Sequence, residues 1–211
     1  MCSNQTFNIL AIGAHPDDIE FGCGGTLMKY IQHNHNVFLL VLTCGGVGGD
    51  PDIRKKEQEQ AAKFMGVKKV FWGGFKDTEL PEARPLISTI ENSINEASPS
   101  IVFVNYLHDF HQDHRATAKA CLSATRYIKE VLYYEVPTTQ QFEPEIFVDI
   151  GGVLDRKLEL VKLHKSQVTR TRVEDLTILE SIKSCANFRG YQGRVKYAEG
   201  FKAVRILRDI A

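Results

Sequence analysis

The sequence predicts an α/β fold, a mainly parallel sheet with helices on both faces. Short apolar β-rich runs alternate with segments of helical period along the whole chain, as βαβ units do. Residues 36–43 form a near-continuous apolar run, the pattern of a strand buried on both faces. Two polar loops rich in His and Asp directly follow two of these runs, and in parallel sheets ligands bind beyond the carboxyl ends of the strands.

Taken in order, residues 7–12 read as a strand and 24–33 as a helix. The apolar run 36–43 is the second strand. Residues 51–65 read as a helix with Pro51 at its start and Gly66 as its C-cap. A short strand at 69–72 precedes a helix at 86–97, closed by Pro99. Residues 101–105 (IVFVN) are a fourth strand, and the Ala-rich 115–127 a helix. Strands at 131–134 and 146–150, helices at 154–164 and 174–187 and a last strand at 201–207 complete the expectation. No repeat, low-complexity tract or long linker interrupts the pattern, so one domain over 1–211 is expected.

Composition narrows the function classes. The chain has 211 residues, 43% apolar and 25% charged, enough for one sizeable core. Its 26 basic residues balance 26 acidic ones, which argues against nucleic acid or an anionic membrane as partner, though not against a local basic pocket. Val37 to Leu42 is the longest aliphatic and aromatic run, far below the ~20 residues of a membrane span. The five cysteines (Cys2, Cys23, Cys44, Cys121, Cys185) are odd in number, widely spread and without a Cys-x-x-Cys pair. Neither a disulfide framework nor a thiolate metal site is indicated. With no apolar leader at the start, a reducing cytoplasm is the expected compartment.

The first polar loop reads Gly13-Ala14-His15-Pro16-Asp17-Asp18-Ile19-Glu20. His15 and Asp18 suit Zn²⁺ or a similar divalent ion, and Pro16 stiffens the loop between them. Two consecutive Asp side chains do not easily serve one metal face, so one is expected as ligand and the other as base. The competing explanation is that both only cap the next helix. Gly22, Gly24 and Gly25 lack the dinucleotide-loop spacing and read as tight backbone near the site.

The second loop, 106–115, brings three of the chain's seven histidines together with Asp109 and Asp113. His111 and His114, three apart at a helix entry, can face one point, one as metal ligand and the other as acid or oxyanion donor. Asp109 and Asp113 are expected to orient these rings by accepting a ring N–H.

The two loops together resemble the LmbE-like (PIG-L) family of zinc-dependent N-acetylglucosaminyl deacetylases, with its AHPDD-x-E motif at 14–20 and its H-x-D-H motif at 111–114. Arg54 and Glu57 fit an R-x-x-E pattern, and the likeness continues through 148–150, 164–167 and 197–201. The resemblance implies a Rossmann-like three-layer sandwich and zinc, or another divalent metal, held by His15, Asp18 and His114. It implies Asp17 as general base, with His111, oriented by Asp113, stabilising the oxyanion or protonating the amine. Arg54, and Tyr197 from the C-terminal segment, would contact the substrate, a small amino sugar. A solvated helix charge is the competing explanation for Arg54, and packing for Tyr197; Lys165 and Gln167 are left without a role. Relatives commonly assemble as hexamers, so a homo-oligomer is implied. The glycine loop after the second strand, Thr43-Cys44-Gly45-Gly46-Val47-Gly48-Gly49-Asp50, departs from the family, which often has a Glu there. Two rival readings are a metallo-β-lactamase-like hydrolase, whose H-x-H-x-D-H motif is almost met, and a binding module of this fold without activity.

Overall fold

The computed structural model describes residues 6–207. Cys2 therefore lies outside the described residues. Seven strands form one sheet in the order β3-β2-β1-β4-β5-β7-β6. Strands β1 (Asn8–Gly13), β2 (Asn36–Thr43), β3 (Lys69–Phe75), β4 (Ile101–Asn105) and β5 (Glu130–Tyr134) are mutually parallel. β7 (Ala198–Arg205) runs antiparallel beside β5, and β6 (Ile146–Asp149) pairs antiparallel with β7 at the edge.

Side-chain alternation along the central strands divides the core into two layers. Ile9, Ala11, Leu39 and Val41 face helices α1 (Asp18–Gln32), α2 (Pro51–Met65) and α5 (Leu154–Lys162), through Leu27, Ala61 and Leu160. Leu10, Ile12, Leu40 and Leu42 face α3 (Arg84–Ala97) and α4 (Gln112–Ala124), through Ile90 and Cys121. A smaller third cluster lies under α6 (Ile178–Gly193), around Ile150 and Ala186. The expected three-layer α/β sandwich is what forms.

Among the boundaries that differ from expectation, three helix starts have identifiable causes. α1 begins at Asp18 rather than at 24, because its glycines are packing sites and not loop. A Cβ on Gly22 would lie 2.1 Å from the Tyr134 ring. The Gly25 and Thr26 amides donate to the Glu199 carboxylate at 2.8 and 2.7 Å, and Lys157 Nζ pairs with the same group at 2.6 Å. α4 begins at Gln112 because His111 caps it, its Nδ1 accepting the Asp113 amide. α6 begins at Ile178 because Thr177 and Glu180 form a capping box.

The strand order reverses direction at β1, whose neighbours β2 and β4 lead to opposite sides. A crevice opens beyond the carboxyl ends of β1 and β4 at such a switch point. Asn105, the last residue of β4, stitches the two ends together, accepting the Ala14 amide at 3.2 Å and donating to Asp18 Oδ2 at 3.4 Å.

Candidate active site

The loop after β1 delivers His15, Asp17 and Asp18 to this crevice, and the loop after β4 delivers Asp109, His111, Asp113 and His114. His15 Nδ1, His114 Nε2 and Asp18 Oδ2 form a triangle with edges of 3.2, 3.2 and 3.5 Å. A tetrahedral ion with ligands at about 2.0–2.1 Å separates them by about 3.4 Å, so the three donors fit one divalent ion. The outer ring nitrogens are held by carboxylates. His15 Nε2 lies 3.0 Å from Asp77 Oδ1 and 3.2 Å from Asp113 Oδ2, and His114 Nδ1 lies 3.1 Å from Asp109 Oδ2. Carboxylates on the far nitrogens leave the near ones free to bind a cation.

Electrostatics fit the same picture. Burial opposes charge on His15, but Asp113, Asp18 and Asp77 outweigh it and raise its pKa well above the ordinary value. Burial is likewise outweighed at His114, where Asp18 and Asp109 push the value up to about 9. Asp18, despite burial, is held well below the carboxylate range by His114 and His15. Three buried acceptors thus gather around a point where positive charge is strongly favoured.

Asp17 differs from its neighbour in every respect. Its backbone is left-handed, with φ 91°, at the N-cap position of α1, and its side chain makes no cap bond. The capping explanation for the Asp pair is therefore not what is observed: Asp18 is engaged with the histidines, and Asp17 faces the crevice. The left-handed backbone is sustained from outside the loop, the Asp17 amide donating to Gln58 Oε1 at 3.2 Å. Burial raises the Asp17 carboxyl to about 7, against the opposing charge of Arg54.

His111 stands against both other rings, with centroids 4.5 Å from His15 and 4.8 Å from His114, and its ligand-type nitrogens lie within 4.8 Å of theirs. Because Nδ1 accepts the Asp113 amide at 3.2 Å, the neutral ring carries its proton on Nε2. Burial and the charges of His15 and His114 push its pKa down, favouring that neutral donor form. The expectation that Asp113 orients His111 through its carboxylate is corrected: that carboxylate faces His15 and also accepts the Thr78 amide at 2.8 Å.

A cavity of about 510 Å³ opens over Asp17, Asp18, His111 and His114, walled by Val136, Val161, His164, Gln167, Arg170 and Arg172. Arg54 and Tyr197 are not among its lining residues. Arg54 is buried under the glycine loop, not solvated, donating to Gly45 O at 2.9 Å and Pro16 O at 2.8 Å, with Nη2 3.4 Å from Asp17 Oδ2. Its close fit requires Gly45, whose φ is +67° and whose Cβ would sit 2.1 Å from Nη1. Tyr197 packs on the third apolar cluster, and Lys165 is exposed. Sequence reasoning missed Asp77, two residues past β3 and so at the same sheet end as the two motifs; that position was its available signal. It also left His164 without a role, though this ring is fully buried with both nitrogens unpartnered, 3.6 Å from Glu20.

The family model described as PIG-L, GlcNAc-PI de-N-acetylase, matches residues 10–125. The chain belongs to the PIG-L family. Among PIG-L relatives it is 38% identical over 173 residues to the uncharacterized deacetylase YaiS of Escherichia coli K12, spanning 78% of this chain and 94% of that one. It is 29% identical to the diacetylchitobiose deacetylase of Thermococcus kodakarensis, covering 95% of this chain and 86% of that one. The N,N'-diacetylchitobiose deacetylase structure from Pyrococcus horikoshii superposes with a TM-score of 0.80 at 26% identity, over 93% of this chain and 83% of that one. The PIG-L chain described here is thus an N-deacetylase, and the metallo-β-lactamase alternative finds no support. No helix among the described residues is long and apolar enough to cross a membrane.

Proposed function

We propose that this PIG-L member hydrolyses the acetamide of a small N-acetyl amino sugar, releasing acetate and a free amine, with a divalent ion, zinc in the first instance, held by His15, Asp18 and His114. The observation that carries this reading is the 3.2–3.5 Å triangle of those three donors beside Asp17, which lines the same cavity. When bound, the ion supplies Lewis acidity to the water and the acetyl carbonyl. Asp17 accepts the proton of the attacking water, a task suited to a carboxyl near neutral pKa. Arg54 fixes the Asp17 carboxylate and keeps the loop carbonyls of Pro16 and Gly45 in place. His111 Nε2–H donates to the oxygen on which negative charge develops, a contribution of about 10²–10³ in rate. The proton held by Asp17 then passes to the departing amine. Asp77, Asp113 and Asp109 act through His15 and His114 as positioning residues.

We read the chain further as one catalytic domain, supported by its single sheet. A cytoplasmic location accords with the four cysteines that stand as free thiols among the described residues, Cys23, Cys44, Cys121 and Cys185, whereas a homo-oligomer, a hexamer in the first instance, rests on the family resemblance alone.

Primary-amine release from a panel of N-acetyl amino sugars by the metal-loaded chain tests the activity. Asp17→Asn is expected to lower turnover by about 10²–10⁴ while the metal stays bound. Loss of metal from that variant would reverse the roles of Asp17 and Asp18. Stoichiometric metal without acetate from any substrate would favour the binding module.

A further inference from the structure

We propose that Gln167 is a specificity-determining residue for the sugar, its Oε1 accepting a hydrogen bond from one sugar hydroxyl and held toward the cleft by Ser166 and Glu57. The inference rests on the deacetylase reading for the sugar that supplies the hydroxyl.

Gln167 ends the segment His164–Gln167, just past α5, and lines the cavity that holds Asp17 and His111. The segment is fastened to α2. Glu57, buried on that helix, accepts the Ser166 amide at 2.9 Å with one oxygen and the Ser166 hydroxyl at 2.6 Å with the other. With its hydrogen committed to that carboxylate, Ser166 Oγ can only accept from a further neighbour. It accepts Gln167 Nε2 at 3.1 Å, and the carbonyl of Gly48 accepts the same nitrogen at 3.4 Å. Neither partner has a proton to give, so the amide cannot turn over: its nitrogen faces them, and its oxygen is left.

No protein group among the described residues donates to that oxygen, and it is not sealed from solvent. It is an open acceptor on the wall of the cavity. Two cations flank it. Arg170 Nη1 donates to the same Gly48 carbonyl, and a Cβ on Gly49 would lie 3.3 Å from Gln167 Nε2, 3.6 Å from Arg170 Nη1 and 3.6 Å from Arg54 Cδ. An anionic group brings no hydrogen for Oε1, and a cationic one is repelled by both guanidinium groups. A neutral hydroxyl meets both conditions. The acetamide is engaged at the donor triangle, which leaves the hydroxyls of the sugar. Arg54, one turn before Glu57 on α2, also lies 3.4 Å from Asp17 Oδ2, so one helix face sets the base and the acceptor in a common frame.

The test uses methyl N-acetylglucosaminide and its 3-, 4- and 6-deoxy forms with the metal-loaded full chain, wild type and Gln167→Met. Removing the hydroxyl that Oε1 accepts is expected to lower kcat/KM of the wild type about three- to tenfold, mainly through KM, and to cost nothing in Gln167→Met. The other deoxy sugars should lose equally in both enzymes. Equal losses for every deoxy sugar in the two enzymes, or no loss in the wild type, overturns the assignment and leaves the deacetylase reading intact. Ser166→Ala, which frees Nε2 from its anchor, should blunt the same discrimination, and it stands in for Gln167→Met, read by the same two outcomes, if that variant does not fold. If no sugar is turned over, the deacetylase reading fails, and calorimetry with the same glycosides decides the acceptor. A hydroxyl whose removal weakens binding to the wild type but not to the variant supports it. Equal weakening in both, or no binding, overturns it.

Discussion

Replacing Asp77 by Asn probes the support of His15 at a single atom. His15 Nε2 has one proton to donate and two carboxylates to receive it, Asp77 Oδ1 at 3.0 Å and Asp113 Oδ2 at 3.2 Å. The Asp113 oxygen is shared with the Thr78 amide, whereas Asp77 gives one oxygen to His15 and the other to the Val47 amide at 2.8 Å. In Asp77→Asn the side-chain oxygen must keep the Val47 amide satisfied, which turns the NH₂ toward His15 Nε2. Two donors then face each other, and the ring relieves the conflict by moving its proton to Nδ1, the nitrogen that faces His114 and Asp18. A protonated Nδ1 cannot bind metal. Removing such an outer partner typically weakens metal affinity about 10–100-fold, or about 1.4–2.7 kcal/mol. Asp113→Asn should cost less than Asp77→Asn. Competition against a chelator of known affinity measures both, with far-ultraviolet circular dichroism to confirm the fold. Wild-type affinity in a folded Asp77→Asn chain, or a larger loss in Asp113→Asn, would refute the reasoning.

Two further outcomes concern stability. Burial lifts Glu20 from 4.5 to about 7, so the folded chain holds its proton where the unfolded chain has lost it. The stability this contributes is complete below pH 4.5 and is lost as pH rises through 7, a swing of about 3 kcal/mol. Glu20→Gln should remove most of that swing between denaturant melts at pH 4 and pH 8 of metal-free protein; an unchanged swing would assign it elsewhere. Gly22→Ala should lower Tm by about 6–12 °C, because its Cβ would lie 2.1 Å from a Tyr134 ring fixed by its hydroxyl bond to Ile12 O, an overpacking of about 3 kcal/mol. Gly152→Ala, which meets nothing within 4 Å, is the matched control and should leave Tm nearly unchanged.

Much of the fold was legible because local and global preferences agree. The strand at 36–43, the helix at 51–65 and the strand at 101–105 have the bounds the sequence predicts. The Pro51 start and Gly66 terminator are local chemistry, and both are used as read. At the start of α1 a long-range contact overrides the local signal. The glycines of α1 read as loop because nothing nearby in sequence announces Tyr134 or Glu199, the residues against which they pack. The Thr177–Glu180 box that starts α6 is, by contrast, a local signal already present in the sequence. At the site the His and Asp motifs announced which residues gather, but not which carboxylate meets which ring. Asp113 turns to His15 across the sheet switch point, a pairing set by topology and not by spacing. Arg170 and Arg172 carry no local pattern at all; only the course of the chain between α5 and α6 brings them to the cleft.

The Glu199 carboxylate that holds the Gly25 and Thr26 amides also sets an order of events during synthesis. Every proposed metal donor lies within the first 114 residues, just beyond the carboxyl ends of β1 and β4, two strands that pair directly with each other. The clamp on α1, and the stretch from Val161 to Ile178 that walls the cavity, emerge from the ribosome later. The whole donor set is thus synthesised before the wall that covers it.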